Sequence, residues 1–248
     1  TAERQAHGMQ TGELIGSGRS ADVFALDDDW VLRRYRADRD AAREAAVMTY
    51  LARHGYPVPH VREPAMGQGR DRLPRTDLVL QRLHGPSMRQ ALRQDEVTPA
   101  EVGTTLADLL SRLHHVPPRA PGSPGDRVLH LDLHPDNVML TGNGPVVIDW
   151  HNTLEGPPGV DWGMSALILA EVALRPGDWT DKARGALGAL LRRLPRLAPD
   201  VVLDATDTGC LTQARNWRAL DPATGEDGTP VLDDAVSLVL ALLPPSPP

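Results

Sequence analysis

One stretch near the middle of the chain constrains its fold more than any other feature. Residues 130–137 read His-Leu-Asp-Leu-His-Pro-Asp-Asn, and two short apolar runs follow, Val138–Leu140 and Val146–Ile148. The segment that separates these runs, Thr141–Pro145, contains Gly, Asn and Pro, the residues that form tight turns. The pattern therefore predicts a β-hairpin directly after a polar loop.

The predicted hairpin brings three polar side chains together. Asn137 stands at the start of its first strand and Asp149 at the end of its second, while Asp132 lies on the preceding loop. The separation of Asp132 and Asn137 matches the catalytic-loop pattern H-x-D-x-x-x-x-N. Their oxygens suit Mg²⁺, and phosphoryl transfer needs a metal-bound nucleotide and a carboxylate facing the attacking hydroxyl. We expect Asp149 to be the main Mg²⁺ ligand, Asn137 to complete the metal site, and Asp132 to orient the substrate hydroxyl and accept its proton.

Two other interpretations of this stretch stay open at the level of sequence. Asp and Asn beside Pro and Gly often do no more than cap turns. Alternatively, His130, Asp132 and His134 alternate, so an extended strand would present all three to a Zn²⁺ ion. Pro135 disfavours such a strand, and the zinc hypothesis leaves the later Asn and Asp without a role. We expect instead that His130 packs beneath the loop and hydrogen-bonds to backbone.

A glycine-rich segment near the beginning of the chain has the form of a phosphate-binding turn. Residues 16–23 fit the pattern G-x-G-x-x-A-x-V. Glycine lets the backbone approach a phosphate group closely, so we expect Gly16, Ser17, Gly18 and Val23 to bind the nucleotide. The two glycines could equally make an ordinary hairpin turn, and the two interpretations are compatible.

The next predicted strand, Trp30–Tyr35, lies where kinases carry a phosphate-binding lysine. The single lysine of this chain lies far downstream, so Arg33 is the candidate, since a guanidinium can hold both a phosphate and a carboxylate. Strand side chains alternate, which turns Arg34 to the opposite face. We expect Glu44, on a helix over Asp40–Leu51, to pair with Arg33. The alternative is a solvated Glu44 paired with a neighbouring arginine.

With these motifs in place, the chain resembles the aminoglycoside phosphotransferase-like kinases, small-molecule kinases with a protein-kinase-like fold. The resemblance covers most of the chain and depends on residues 130–137 and on Ile148-Asp149-Trp150. It implies an α+β, bilobal fold, in which a small antiparallel β-sheet with one helix forms the N-terminal lobe and the larger C-terminal lobe is mainly α-helical. The sequence departs from the family at Leu131 and Asp136, where Gly is frequent, and at Arg33, where the family has Lys.

The lobe boundary is predicted after Leu83, where an apolar run approaches Gly-Pro. The N-terminal nucleotide-binding lobe then spans residues 1–83, and the C-terminal catalytic and substrate-binding lobe spans 84–248. The resemblance implies that backbone groups of Gln81 and Leu83 meet the base of the nucleotide. Further helices are predicted after a Thr98-Pro-Ala-Glu101 capping box and over residues 165–174, 182–194 and 231–243, and the proline-rich tail at 244–248 is expected to be disordered.

The segment after Asp149 favours a small-molecule substrate over a protein. Asp161 follows after only twelve residues, at the beginning of an apolar helix, and the chain has no Ala-Pro-Glu segment. An activation loop with a peptide-docking surface therefore has no room. In the family this aspartate position anchors the catalytic loop from below. An ordinary helix N-cap is an equally consistent role for Asp161.

Composition limits the remaining classes of function. A single cysteine excludes an internal disulfide framework, no apolar stretch is long enough to cross a membrane, and no signal peptide is visible, so a cytoplasmic protein is expected. No basic stripe with interleaved aromatics indicates a nucleic-acid partner, and no obligate protein partner is evident. Residues 1–86 hold 13 basic and 12 acidic side chains, and residues 87–248 hold 13 and 21. The acidic second part favours a cationic or polyhydroxylated substrate, unless it serves only solubility.

The leading hypothesis is a kinase that transfers the γ-phosphate of ATP or GTP, with Mg²⁺, to a hydroxyl of a small molecule. By analogy with the family, the substrate is expected to be an aminoglycoside or another antibiotic, which would make the protein a resistance enzyme. Choline, homoserine and sugars are alternatives. Arg33 in place of Lys supports a different alternative, a catalytically weak or inactive module that binds nucleotide or another ligand.

Overall fold

The computed structural model describes residues 11–18, 20–37, 40–62, 74–120, 122–221 and 228–245. The chain divides into two compact units, residues 1–84 and 85–248. An antiparallel sheet dominates the first unit and helices dominate the second, which confirms the predicted α+β fold class. Of the proline-rich tail, residues 246–248 lie outside the described residues, and residues 244 and 245 follow the end of the last helix.

Four antiparallel strands form the sheet of the first unit. They are adjacent in the sheet in their chain order: β1 (Leu14–Ser17), β2 (Ala21–Ala25), β3 (Trp30–Tyr35) and β4 (Asp77–Gln81). The carboxylate of Asp27 closes the turn between β2 and β3 by accepting hydrogen bonds from the amides of Asp29 and Trp30. β3 lies between β2 and β4, and its central residue Leu32 is fully buried.

A single helix, α1 (Ala41–Arg53), follows β3. It begins where predicted, because the side chain of Asp40 caps it by accepting a hydrogen bond from the amide of Ala42. Its buried face includes Val47, Met48 and Leu51 at helical spacing. The one acidic residue of its first turn, Glu44, lies on this buried face too, which sets up the ion pair described below.

Helices make up most of the second unit. In the described part of this unit they are α2 (Met88–Arg93), α3 (Pro99–His114), α4 (Pro158–Leu174), α5 (Thr180–Leu197), α6 (Cys210–Ala219) and α7 (Gly228–Leu242). The predicted capping box of α3 is present, with the Thr98 and Glu101 side chains each bonding the other residue's backbone amide. Nearly every residue of α4 is buried, because α5, α6 and α7 all pack against it. Among the described residues, no helix combines the length and apolar character needed to cross a bilayer.

The hairpin predicted after the polar loop is present. Its strands are β6 (Val138–Thr141) and β7 (Gly144–Val147), and they pair with Val138 opposite Val147. The turn is tighter than expected, since Gly144 already belongs to the second strand and only two residues connect the strands. A further pair, β5 (Arg127–Leu129) with β8 (Leu154–Gly156), was not predicted and brackets the loop and hairpin in sequence.

Gly103 permits a close crossing of α3 and α5. A Cβ atom there would lie 2.1 Å from the carbonyl oxygen of Ala186 and 2.7 Å from the Cβ of Ala189. Gly103→Ala should therefore lower the free energy of unfolding, measured by chemical denaturation, by about 1–3 kcal/mol. Gly188→Ala on α5 is the matched control, because its Cβ would meet only the flexible end of Arg192. The control should be neutral or stabilising by up to about 1 kcal/mol, and an equal loss in both variants would contradict the close crossing.

Candidate active site

The polar loop, residues 130–137, joins β5 to β6 and has an unusual backbone. Leu131 has φ +62°, in the left-handed region that favours glycine. This conformation costs a leucine about 1–3 kcal/mol. The Leu131 side chain is 5% exposed, and burying a leucine contributes about 1.5–3 kcal/mol, so burial offsets the strain. The loop ends in a 3₁₀ turn, Pro135–Asn137, which leads directly into β6.

The carboxylate of Asp161 holds the start of this loop. Its Oδ2 accepts a hydrogen bond from the amide of His130 at 2.9 Å, and its Oδ1 accepts one from the amide of Leu131 at 2.7 Å. Nε2 of His114 lies 3.1 Å from Oδ2. Burial alone would raise the pKa of Asp161, but the hydrogen bond and charge of His114, together with the amide of His130, lower it, and the pKa lies below its ordinary value. The helix N-cap interpretation is wrong, because Pro157 is the N-cap of α4 and Asp161 bonds to the loop.

His130 supports the loop from within the protein. Its ring is fully buried and packs edge-on against Trp150, with ring centroids 4.5 Å apart. Nε2 lies 3.0 Å from the carbonyl oxygen of Ile148 and must donate to it, whereas Nδ1 accepts a hydrogen bond from the amide of Asp132 at 3.2 Å. His130 is therefore a neutral imidazole, and burial is the main reason that its pKa lies below the ordinary value.

The zinc hypothesis fails on the same geometry. Both ring nitrogens of His130 are occupied by backbone groups, so neither is available to a metal ion. Across the described residues, no group of three or more His, Cys, Asp and Glu side chains is arranged to hold a metal ion.

Asp132 and Asn137 form direct contacts across the loop. The amide nitrogen Nδ2 of Asn137 donates to the backbone oxygen of Asp132 at 2.9 Å and lies 3.3 Å from its Oδ2. His134 completes the group, with Nε2 3.6 Å from Oδ1 of Asp132 and 3.2 Å from Nδ2 of Asn137. Burial raises the pKa of Asp132, whereas the hydrogen bond and charge of His134 are the main causes that lower it. The net result is a pKa below the ordinary value. The carboxylate of Asp132 is therefore ionised at neutral pH.

Asp149 follows β7 and lies near the same group. The hairpin explains this proximity, because the amide of Ile148 donates to the backbone oxygen of Asn137 at 3.0 Å. The charge of Asp149 raises the pKa of Asp132, partly opposing His134. Asp149 has φ +67°, a left-handed conformation that is uncommon outside glycine, and its Oδ1 lies 2.5 Å from Nδ1 of His151. The structure thus gathers two carboxylates and one carboxamide around the loop and hairpin.

The donor set fits a hard divalent cation. Nδ2 of Asn137 is turned toward Asp132, which leaves Oδ1 without a hydrogen-bond partner among the described residues. A carboxylate oxygen from Asp149 and this amide oxygen are ligands that Mg²⁺ prefers, and Mg²⁺ keeps several waters of its own. Two protein oxygens are enough for a metal ion that also binds nucleotide phosphates.

The glycine-rich segment forms the hairpin between β1 and β2. Gly16 pairs with Val23, Ser17 pairs with Asp22, and the amide of Gly18 donates to Ala21. A Cβ on either glycine would come no closer than 3.6 Å to any atom, and neither glycine has a left-handed φ. The hairpin itself therefore does not require glycine at these two positions.

A polar network covers the end of this hairpin and was missed in the sequence. The hydroxyl of Ser17 donates to Oδ1 of Asp22 at 2.9 Å, and Arg36 bonds to both residues. The hydrogen bond from Arg36 is the main reason that the pKa of Asp22 lies below its ordinary value. The network links β1, β2 and the residue after β3, and alternation along single strands does not reveal it.

Arg33 is buried and pairs with Glu44. Nη1 of Arg33 donates to Oε1 of Glu44 at 2.8 Å, and Glu44 is only 3% exposed, so the alternative of a solvated Glu44 is wrong. Tyr35, two residues along β3, donates its hydroxyl to Oε2 of the same carboxylate, and its ring lies under the Arg33 guanidinium. Arg34 faces the other way and binds both carboxylate oxygens of Asp77.

The end of the first unit contains the backbone groups expected to meet the nucleotide base. The amide of Gln81 donates to the carbonyl oxygen of His60 at 2.8 Å, and the Gln81 side chain accepts a hydrogen bond from the His60 amide. Both backbone hydrogen-bonding groups of Leu83 lack a partner among the described residues. Of the two residues, Leu83 is therefore better suited to recognise a base.

Arg218 on α6 is a further charged residue near the loop that the sequence did not reveal. Its guanidinium bonds to Glu171 at 2.6 Å and 3.4 Å and to Asp221 at 2.8 Å. Burial lowers the pKa of Arg218, but Glu171 and, to a smaller extent, Asp132 raise it above the ordinary value. Arg218 and Glu171 lie far apart in the chain, so no local pattern indicates the pair.

Comparison with known proteins gives the family. The model of the phosphotransferase enzyme family (APH) matches residues 11–128 and 122–178, which together make up more than half of the chain. The chain therefore belongs to this phosphotransferase family. A search of curated protein sequences gave no match.

Solved structures of kinases share the fold. A candidate aminoglycoside phosphotransferase from Ralstonia eutropha JMP134 superposes with a TM-score of 0.60 at 16% identity over 94% of each chain. ADP-bound aminoglycoside phosphotransferase APH(2'')-Ib gives a TM-score of 0.54 at 14% identity over 93% of each chain. Choline kinase from Cryptosporidium parvum Iowa II gives 0.53 at 12% identity over 93% of this chain and 88% of its own. At these identities the likeness establishes the kinase-like fold.

Stability should depend on the protonation of His130. The ordinary histidine pKa is 6.5, and burial lowers it in the folded protein. The folded state then binds fewer protons, so the contribution of His130 is complete above the ordinary pKa and is lost as the pH falls toward the folded value. Urea denaturation should give a lower free energy of unfolding at about pH 5 than at about pH 7.5. His130→Gln, which does not titrate, should narrow this difference, and an unchanged difference would contradict the assignment.

Proposed function

We propose that this protein is a nucleotide- and Mg²⁺-dependent O-phosphotransferase that acts on a hydroxyl group of a small molecule. The observation that carries the proposal is the loop in which Asn137 contacts Asp132 while Asp149 lies close enough to alter the pKa of Asp132. Membership of the phosphotransferase family supports the same conclusion. The roles of the individual residues below belong to this proposal.

Asp132 is the proposed catalytic residue. Its low pKa makes it a weak base, so it cannot remove the proton of an alcohol before the reaction begins. In a loose phosphoryl-transfer transition state, the attacking hydroxyl becomes acidic only as its bond to phosphorus forms. Asp132 therefore first orients the hydroxyl by accepting its hydrogen bond, and it takes the proton late. His134 and Asn137 hold the carboxylate in place meanwhile.

Asn137 and Asp149 are the proposed metal ligands. When bound, Mg²⁺ would neutralise charge on the nucleotide phosphates. The protein's own contribution is to keep the two oxygen ligands in place, through the hydrogen bond from Asn137 to Asp132 and the backbone contact across the hairpin. The Asp161 carboxylate keeps the loop in position without entering the chemistry.

The first unit is the proposed source of nucleotide contacts. Gly16 and Gly18 are not needed by the hairpin itself, so close approach of a phosphate group remains a physical reason for glycine at both positions. Arg33 takes the place of the usual lysine, and its ion pair with Glu44 is buried and supported by Tyr35. Ser17, Val23, Gln81 and Leu83 complete the proposed set. The presence of Asp132, Asn137 and Asp149 argues against the inactive-module alternative, since nucleotide binding alone does not require a carboxylate that faces the substrate hydroxyl.

An aminoglycoside or related antibiotic is the proposed substrate, with ATP or GTP as the donor. The support is that solved proteins with this fold include a gentamicin complex and a streptomycin–ATP complex of APH(2'')-IIa. A second candidate is a metabolite of the choline type, because choline kinase also shares the fold. A panel with both substrate classes separates the two.

Phosphorylated product should form when the protein is incubated with ATP or GTP, Mg²⁺ and a panel of aminoglycosides, other antibiotics, choline and sugars. Asp132→Ala should lower kcat by about 10²–10⁴-fold while nucleotide binding persists, because the residue acts on the substrate hydroxyl. Mass spectrometry of the product and isothermal titration with nucleotide measure the two effects.

Asp136→Ala is the matched control for this experiment. It removes a neighbouring carboxylate of the same loop that pairs with exposed Arg89, so kcat should stay within about threefold of the original. Nucleotide binding without product from any substrate would favour the inactive module. An equal loss of kcat in the Asp132 and Asp136 variants would show that any substitution disrupts the loop, and would not support a catalytic role for Asp132.

A further inference from the structure

His151 contacts the proposed metal ligand Asp149 directly. Nδ1 of the imidazole lies 2.5 Å from Oδ1 of Asp149, the shortest approach of any histidine to a carboxylate in the described part of the chain. The side chain of His151 is 16% exposed, so the contact is largely shielded from water.

The backbone around His151 holds the imidazole in this position. His151 lies in a 3₁₀ turn, Trp150–Asn152, immediately after Asp149 with its left-handed φ of +67°. The indole of Trp150 is buried and donates to the carbonyl oxygen of Val147 at 3.0 Å. The hydroxyl of Thr153 donates to the carbonyl oxygen of Trp150 at 2.9 Å. Hydrogen bonds therefore fix the turn before and after His151, and the fixed backbone places His151 against Asp149.

The chemistry of the contact fixes its direction. An ionised carboxylate only accepts hydrogen bonds, so Nδ1 of His151 must be the donor. One such bond sets the rotation of the Asp149 carboxylate and leaves it further acceptor capacity, since a carboxylate offers about four lone-pair positions. Hydrogen-bond partners of this kind orient metal-binding carboxylates, and their loss typically costs about 10–100-fold in metal affinity or activity.

We propose that His151 is a positioning residue that orients the carboxylate of Asp149 toward the metal–nucleotide. The inference rests on the proposed function and adds a determinant of metal affinity that lies outside the Asp132–Asn137 loop. Because Asp149 is held in a strained backbone conformation, a fixed side chain removes the remaining freedom of the ligand. His151 acts through Asp149 and needs no contact with substrate.

Three substitutions of His151 distinguish the loss of its hydrogen bond from a change in the size of its side chain. Asn places its amide nitrogen where Nδ1 of histidine lies, so His151→Asn should keep the hydrogen bond. Gln places its amide near Nε2, and Leu has no donor, so His151→Gln and His151→Leu should both lose it. His115→Leu is the matched control, because His115 also bonds through Nδ1, to the carbonyl oxygen of Ser111, at an exposed position on the C-cap of α3.

The measurement is Mn²⁺ binding in the presence of a non-hydrolysable ATP analogue, detected by electron paramagnetic resonance. The Gln and Leu variants should bind Mn²⁺ about 10–100-fold more weakly, whereas the Asn variant and the His115 control should stay within about threefold. In steady-state assays, the Gln and Leu variants should need correspondingly more Mg²⁺ for half-maximal rate, with a smaller change in kcat at saturating metal. Thermal unfolding of each variant identifies any that fail to fold.

Mn²⁺ binding by the original protein distinguishes a failure of this inference from a failure of the proposed function. If it binds Mn²⁺ with the analogue and the folded Gln and Leu variants bind equally well, His151 has no positioning role and this inference is overturned. If the Asn variant loses affinity as much as the Leu variant, donation from the Nδ1 position is not the cause, and the inference is overturned too. If the original protein binds no Mn²⁺ with any nucleotide, the proposed function itself fails.

Discussion

The buried carboxylate of Asp161 is the interaction on which the candidate site depends. It accepts two consecutive loop amides, those of His130 and Leu131, and thereby fixes a residue with φ +62°. Without this acceptor, each buried amide would lose its partner at a cost of about 1–3 kcal/mol. The direction of the following residues, Asp132 and Asn137, is set by the path that the loop takes at this point.

The site then resolves a conflict between like charges. Asp132 and Asp149 repel each other, as the raising effect of Asp149 on the pKa of Asp132 indicates. Each of these carboxylates has a histidine beside it, His134 next to Asp132 and His151 next to Asp149. Both ring nitrogens of His130 are hydrogen-bonded to the backbone. A divalent cation would relieve the same repulsion, so the arrangement of charges and the proposed metal requirement have one physical origin.

Local patterns in the sequence were sufficient for much of this structure, and their limits are physical. The turn residues at 141–145 indicated the hairpin, and strand alternation separated Arg33 from Arg34. The strands β5 and β8 are only three residues long, which is too short for a recognisable alternation, and α6 has a weak apolar pattern. The contacts of Tyr35 and Arg218 join different secondary-structure elements, so a pattern within one element does not indicate them. The sequence contains His151, but only the coordinates show which carboxylate it bonds.

The most direct test of the proposed site is the position of the metal ion. Crystals grown with Mn²⁺ and a non-hydrolysable ATP analogue would give an anomalous difference peak for the ion. We expect one or two peaks bounded by the side-chain oxygens of Asn137 and Asp149, with Asp132 nearby and outside the ligand shell. A peak at His130 or His134, or nucleotide bound with no metal at Asn137 and Asp149, would contradict it.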